Sequence, residues 1–208
     1  MRIIDISMTI EANMPVYKNK PEKKPAIKVE NDFDSGRTYE SKLSMNLHTG
    51  THLDAPLHMF ENGDTTEHYT LEQLVGNALV IDLSGIEDRV IKKEHLKHIN
   101  IDENIIVLLK TANSYVDFFE FDFVYLSGEA AMYLAGKNIK AVGIDGLGIE
   151  RGIPEHPAHQ ALLSRNIPIV EGLRLGHVEA GSYNFAALPL KISGVEASPV
   201  RAILTDIY

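Results

Sequence analysis

The chain has 208 residues, 44% of them hydrophobic and 24% charged, which suits one globular domain spanning residues 1–208 with a substantial core and is short for two. A net charge of -9 with no Lys/Arg-rich stripe argues against a nucleic-acid partner, and no stretch approaches the length of a membrane span. The absence of cysteine excludes disulfides, thiolate metal sites and a cysteine nucleophile, and fits a reducing compartment.

Met1-Arg2-Ile3-Ile4-Asp5 lacks the apolar run of a secretory signal, so a cytoplasmic location is expected. Residues 2–7 read as a buried strand. Residues 12–25, rich in Pro, Asn and Lys, read as a surface loop carrying Tyr17, an aromatic that could cover a binding site or simply pack. Residues 26–33 and 38–48 look like a strand pair joined through Asp34-Ser35-Gly36. In the second strand Tyr39, Leu43, Met45 and Leu47 are apolar and odd-numbered, whereas Glu40, Lys42, Ser44 and Asn46 are polar and even-numbered. That alternation predicts one face in the core and one in water.

The same alternation runs into His48-Thr49-Gly50-Thr51-His52-Leu53-Asp54-Ala55-Pro56-Leu57-His58. Two threonines, a glycine and a proline disfavour helix. In an extended chain His48, His52 and Asp54 share the even face, while Leu53, Ala55 and Leu57 share the odd one. Imidazole nitrogen and carboxylate oxygen together are the ligands of zinc, manganese and iron sites. Pro56 ends the strand, and His58 lies just beyond it on a turn that can swing back over the others. A solvated, histidine-rich strand face is the alternative, and it leaves the full set without a reason.

Further along, His68 reads as solvated after Asn62-Gly63-Asp64. A short helix is expected over 71–75 and a strand over 79–83. Residues 92–99 look like an exposed helix; its His95 and His98, among lysines, read as a solvated face. Ile105-Ile106-Val107-Leu108-Leu109 is a strand buried on both sides. Phe123-Val124-Tyr125-Leu126, a helix from Gly128 to about Leu134 capped by Ser127, and Ala141-Val142-Gly143-Ile144 together suggest a βαβ unit. Gly146-Leu147-Gly148-Ile149-Glu150-Arg151-Gly152 has its third glycine one residue late for a dinucleotide site, and reads better as a loop shaping a pocket at a strand's end.

Pro157 suits the first turn of a short helix to about Ser164, which carries His159, with His156 just before it. Ile167, Ile169, Glu171 and Leu173 alternate on one strand face. Glu171 is either buried, and then in need of a cation or strong hydrogen bonds, or on an exposed edge beside a partner such as Arg174. Strands over 187–192 and 200–207 complete the chain.

The stretch His48 to His58 resembles the HxGTHxDxPxH signature of a metal-dependent cyclase hydrolase family that includes bacterial kynurenine formamidase (arylformamidase) and isatin hydrolase, and it matches at every fixed position. Ile4-Asp5-Ile6-Ser7, Gly143-Ile144-Asp145 and the later His and Glu extend the resemblance over nearly the whole chain. It implies an α/β fold of the swivelling β/β/α type, a mixed sheet core with flanking helices. It further implies that His48, His52 and Asp54 bind one divalent ion, that His159 (in preference to His156) and Glu171 help bind a second, and that His58 is the general acid/base. Zinc, two ions per subunit, is the expected metal, with manganese as the alternative.

By the same resemblance Tyr17 flanks a small-molecule substrate, although Tyr17-Lys18-Asn19-Lys20 replaces the family's aromatic followed by Pro-Gly-Asp. The expected reaction is hydrolysis of a small amide or formamide, N-formylkynurenine to kynurenine and formate, by a homodimer or larger assembly. Hydrolysis of another cyclic amide or ester, as by isatin hydrolase, and metal binding without catalysis are the alternatives.

Overall fold

The computed structural model describes residues 2–206. Its elements in chain order are β1 (Ile3–Asp5), β2 (Ala26–Asn31), β3 (Glu40–Ser44), β4 (His52–Asp54), α1 (Leu71–Leu74), β5 (Val75–Asp82), β6 (Val90–Ile91), α2 (Lys93–Leu96), β7 (Ile106–Lys110), β8 (Tyr125–Leu126), α3 (Gly128–Ala135), β9 (Ala141–Ile144), α4 (Pro157–Leu163), β10 (Ile169–Glu171), β11 (Gly181–Pro189) and β12 (Ala197–Thr205). The predicted end of the last strand at Ile207 lies outside the described residues.

The main sheet runs β12-β11-β5-β7-β9-β10-β4, and β4 pairs again with β12. Seven strands therefore close into a barrel, with β1 sharing the free edge of β12. The four central strands β5, β7, β9 and β10 are parallel; β4, β11 and β12 are antiparallel to their neighbours. This is the expected α/β architecture with a mixed sheet and flanking helices.

One apolar cluster draws Leu53, Ala78, Val80, Ile106, Leu108, Ala141, Val170, Phe185, Ala187, Ala202 and Leu204 from all seven barrel strands, so it fills the barrel interior. A second packs Val107, Leu109, Val142, Ile144 and Ile169 against Ala130, Ala131 and Leu134 of α3 and Ala158, Leu162 and Leu163 of α4. The period of two along β7 sends Ile106 and Leu108 inward and Val107 and Leu109 to the helices, which is why the strand reads as an unbroken apolar run. At the end of β9, buried Asp145 ties β9 to β7. It accepts bonds from Thr111 N at 2.7 Å, Thr111 Oγ1 at 2.6 Å and Ser114 Oγ at 2.5 Å. Burial outweighs these bonds and pushes its carboxyl up to about 6.

Three expectations are corrected. First, β3 does not carry a core face. The β2–β3 hairpin stands off the barrel with every residue of both strands exposed, Leu43 at 50%, and Tyr39 just before β3 exposed at 57%. Its alternation is real, but among the described residues no other element buries the apolar side. Second, β8 pairs with β6 in a separate two-stranded ribbon, so β8-α3-β9 is not a βαβ unit. The crossover that sequence pattern implied lies instead in β9-α4-β10, two parallel neighbours joined by one helix. Third, the helix expected over 92–99 is the single turn α2, with Leu96 buried, Lys92 and Lys97 exposed and Lys93 half-buried.

Candidate active site

The extended stretch from residue 38 breaks between β3 and β4. His48 sits in a turn, with its backbone N–H donated to Asn46 Oδ1 at 3.0 Å. Gly50 follows at φ +74°, a left-handed conformation that relieves crowding only without a Cβ. Its carbonyl lies against Gly172, itself at φ +68°; a Cβ on Gly172 would stand 2.4 Å from Gly50 O. Thr51 locks this approach by donating Oγ1 to Gly172 O at 2.6 Å and accepting from Met8 N at 2.8 Å. The turn that carries His48 is thereby fastened to the end of β10.

In β4, Leu53 enters the barrel core, so His52 and Asp54 project outward. Antiparallel register sets His52 opposite Glu171 of β10, and Val170 beside it points inward with Leu53. Glu171 is 4% exposed, so the edge-strand reading falls. Arg174, its candidate partner, turns instead to the carbonyl of Val116. His159 enters from the first turn of α4, where Pro157 starts the helix and Glu150 accepts from Ala158 N at 2.9 Å.

These groups converge. His48 Nδ1 lies 2.8 Å from Asp54 Oδ1, and His52 Nε2 lies 3.5 Å from the same oxygen. His52 Nε2 is 3.4 Å from Glu171 Oε2, while His159 Nε2 is 3.5 Å from Glu171 Oε1 and 3.9 Å from Asp54 Oδ2. Despite this proximity His52 Nε2 and both Asp54 oxygens are buried with no hydrogen-bond partner. Short separations without bonding geometry are what ligand atoms show when they aim at a common point, and unsatisfied buried polar atoms are otherwise costly. His52, Asp54 and Glu171 form one group able to hold a cation; His48, Asp54 and His58 form another.

The electrostatics suit a divalent ion. Burial and Glu171 push Asp54 up, but His52 and His48 bring it below its ordinary value. Burial raises Glu171 too, and His159 and His52 hold it well below the usual range. Burial opposes charge on His52 and His159, yet the carboxylates hold them at about 9 and about 10. Two buried anions therefore draw two protons onto the imidazoles, and one divalent cation supplies the same two positive charges. The donor set fits such an ion.

His58 follows on a single turn, Pro56–His58, fixed by Leu57 N to Asp64 O at 2.9 Å and His58 N to Ala55 O at 2.9 Å. Its ring centroid stands 4.3 Å from that of His48 and 5.5 Å from that of His159. Burial pushes it below the ordinary imidazole value. The cavity in front of the cluster, about 210 Å³, is walled by Tyr17, Lys23, Met59, Leu147, Gly148 and His156 as well as the histidines, Glu150 and Glu171. Tyr17 is held edge-on against Phe119 at 5.3 Å and Phe123 at 6.4 Å.

The structure thus gathers His48, His52, His58, His159, Glu171 and Tyr17 around one cavity, with Asp54 buried beside His48 and His52. Sequence reasoning passed over Lys23, Glu150 and Glu196. Lys23 sat in a loop read only by composition. Glu150 sat in a loop already read as shaping a pocket, and Glu196, whose Oε1 is 3.3 Å from His48 Nε2, had no local pattern to mark it.

The profile of the Cyclase family, "Putative cyclase", matches residues 4–151. A kynurenine formamidase of Salinibacter ruber is 34% identical over 209 residues, covering 99% of this chain and 98% of its own. A solved structure described as a potential metal-dependent hydrolase with cyclase activity superposes with a TM-score of 0.91 and 44% identity over 100% of this chain and 98% of that one. Isatin hydrolase A from Labrenzia aggregata, bound to benzyl benzoate, has a TM-score of 0.86 and 26% identity over 100% and 94%. A match across most of the chain, together with barrel, turn and histidine cluster, means that this chain belongs to the cyclase family of hydrolases.

Proposed function

We propose that the chain is a divalent-metal-dependent hydrolase of small non-peptide amides, an arylformamidase that converts N-formylkynurenine to kynurenine and formate. The observation that carries this reading is the buried convergence of His52, Asp54, His159 and Glu171, with His52 Nε2 and both Asp54 oxygens unsatisfied, beside His58 and at the foot of a cavity sized for a small molecule. His48, His52 and Asp54 would hold one ion; His159 and Glu171, sharing Asp54, would hold a second. Zinc suits this donor set, and manganese is the alternative.

When bound, such an ion would lower the pKa of water to about 7 and polarise the carbonyl. The chain's own groups do the rest. Burial disfavours charge on His58, which favours the neutral imidazole that can accept a proton from the attacking water. As the water oxygen bonds the carbonyl carbon, that proton rests on the imidazole. As the C–N bond breaks, His58 returns it to the leaving nitrogen, giving a carboxylic acid and an amine. Tyr17, Met59 and Leu147 offer an apolar wall to an aryl group. Lys23 is the one ammonium on the described wall, and it suits a carboxylate or carbonyl oxygen of the substrate. We take residues 1–208 as one catalytic domain of the swivelling β/β/α type, cytoplasmic, and active as a homodimer or larger.

The full-length relationship to the Salinibacter kynurenine formamidase supports a formamide substrate. The likeness to isatin hydrolase A favours a second reading, ring opening of an isatin-like cyclic amide by the same chemistry. The test is turnover by protein stripped of metal and reloaded with zinc or manganese, on N-formylkynurenine, simple formanilides and isatin. Metal-restored cleavage of N-formylkynurenine is expected. Cleavage of isatin alone would move the assignment to the second reading, and turnover undiminished by complete metal removal would overturn both.

A further inference from the structure

Glu150 is a completely buried carboxylate that neither the signature nor the ligand set includes. Its Oε2 accepts from Ala158 N at 2.9 Å, and its Oε1 faces His159 Nδ1 at 2.6 Å with His159 N at 3.4 Å. His156 Nδ1 lies 3.3 Å from the same Oε1, without a hydrogen bond. Both oxygens are thus committed to α4, on the side of His159 away from Asp54 and Glu171. An ionised carboxylate can only accept, so the ring proton of a neutral His159 resides on Nδ1. The lone pair then sits on Nε2, the nitrogen 3.5 Å from Glu171 and 3.9 Å from Asp54. His52 is arranged the same way by a neutral acceptor: its Nδ1 faces Gly50 O at 2.9 Å, leaving Nε2 to the cluster.

We propose that Glu150 is a positioning residue for the metal centre: through His159 Nδ1 it fixes the tautomer and ring orientation that present Nε2 to the cation. Carboxylates in that relation to a ligating imidazole raise its basicity, and their loss typically weakens metal binding by about 10–100-fold. The inference rests on the reading of His159 as a ligand.

The test measures zinc affinity of metal-free protein by competition with a chromogenic chelator, so it needs no substrate. Glu150→Gln puts an amide donor against either Ala158 N–H or His159 Nδ1–H, and it should weaken zinc binding by about 10–100-fold. In a His159→Ala background the same change should matter by less than about twofold, because a residue acting through another has nothing left to act on. Unaltered affinity in Glu150→Gln, or an equal loss in both backgrounds, would overturn the proposal. If His159→Ala alone binds zinc as tightly as the unaltered chain, the ligand reading falls and this one with it, whereas a weakened His159→Ala beside an unaffected Glu150→Gln removes only Glu150. Should Glu150→Gln fail to fold, Glu150→Asp keeps the charge, withdraws it by one methylene and serves in the same two backgrounds.

Discussion

Strands β4 and β10 have two faces that obey opposite rules. Inward, Leu53 and Val170 are wholly buried among apolar neighbours from every other strand of the barrel. Outward, and only one residue away in each strand, His52, Asp54 and Glu171 are buried too, but His52 Nε2 and both Asp54 oxygens are left unsatisfied. The inner face gains free energy by folding; the outer face stores an electrostatic deficit that a cation can relieve. Stability and chemistry thus share a backbone and are separated by the period of two, which lets each be altered without the other.

The largest effects are expected on the outer face. Asp54→Asn should lose zinc on dialysis and cut turnover by about 10³-fold or more, several kcal/mol of barrier. Its metal-free melting temperature should fall less than that of Leu53→Ala, since the neighbouring imidazoles that carry the balancing charge can give up their protons when Asp54 is neutralised. A collapse of the metal-free fold would break the contrast between the faces. His58→Ala should lower turnover by about 10²–10⁴-fold with zinc content unchanged by atomic absorption. Loss of zinc there would make His58 a ligand instead.

The inner face should answer in the other currency. Leu53→Ala is expected to cost about 2–5 kcal/mol in denaturant unfolding, yet shift the zinc affinity by no more than a few fold. A large affinity loss would mean that the barrel interior tunes the site.

A smaller effect is expected at Asp145, a buried carboxylate whose oxygens are bonded, unlike those of Asp54. Asp145→Asn can keep an acceptor toward Thr111 N–H only by setting its amide donor against the Thr111 hydroxyl, and should cost about 1–3 kcal/mol near pH 4. The sign of its pH dependence follows from the raised folded-state value. The unfolded carboxyl ionises near 3.8, and the folded one only near 6. Between those values the folded state binds more protons, so the unaltered chain loses this contribution as pH rises. The deficit of Asp145→Asn should therefore shrink from pH 4 to pH 6 and level off above. A gap that widens over that interval would show that the folded carboxyl ionises below its ordinary value.

Much of the candidate site could be read from the chain because its central residues, His48, His52, Asp54 and His58, are near in sequence. His52 and Asp54 share a face of a three-residue strand for the local reason of alternation, and Pro56 and Gly50 mark the breaks around it. Local chemistry also marked the Ser127 cap on α3, the Pro157 start of α4 and the doubly buried β7. His48 reached the cluster by another route than alternation. It is brought in by the Gly50–Gly172 contact, between segments more than a hundred residues apart.

The same distance in sequence explains what local reasoning left open or misjudged. Whether Glu171 was buried depended on β4 pairing beside it, and whether the apolar side of β3 was covered depended on there being an element to cover it. Glu150 and Lys23 carry no period or motif; they matter because loop ends meet α4 and the barrel rim at one cavity. Side-chain alternation, turn chemistry and the spacing of ligands are short-range and belong to the amino-acid order. Closure of β4 onto both β10 and β12, burial of unpaired charge and the choice of which nitrogen faces a cation arise only where remote segments pack, since burial and hydrogen-bond partnership are properties of neighbours in space.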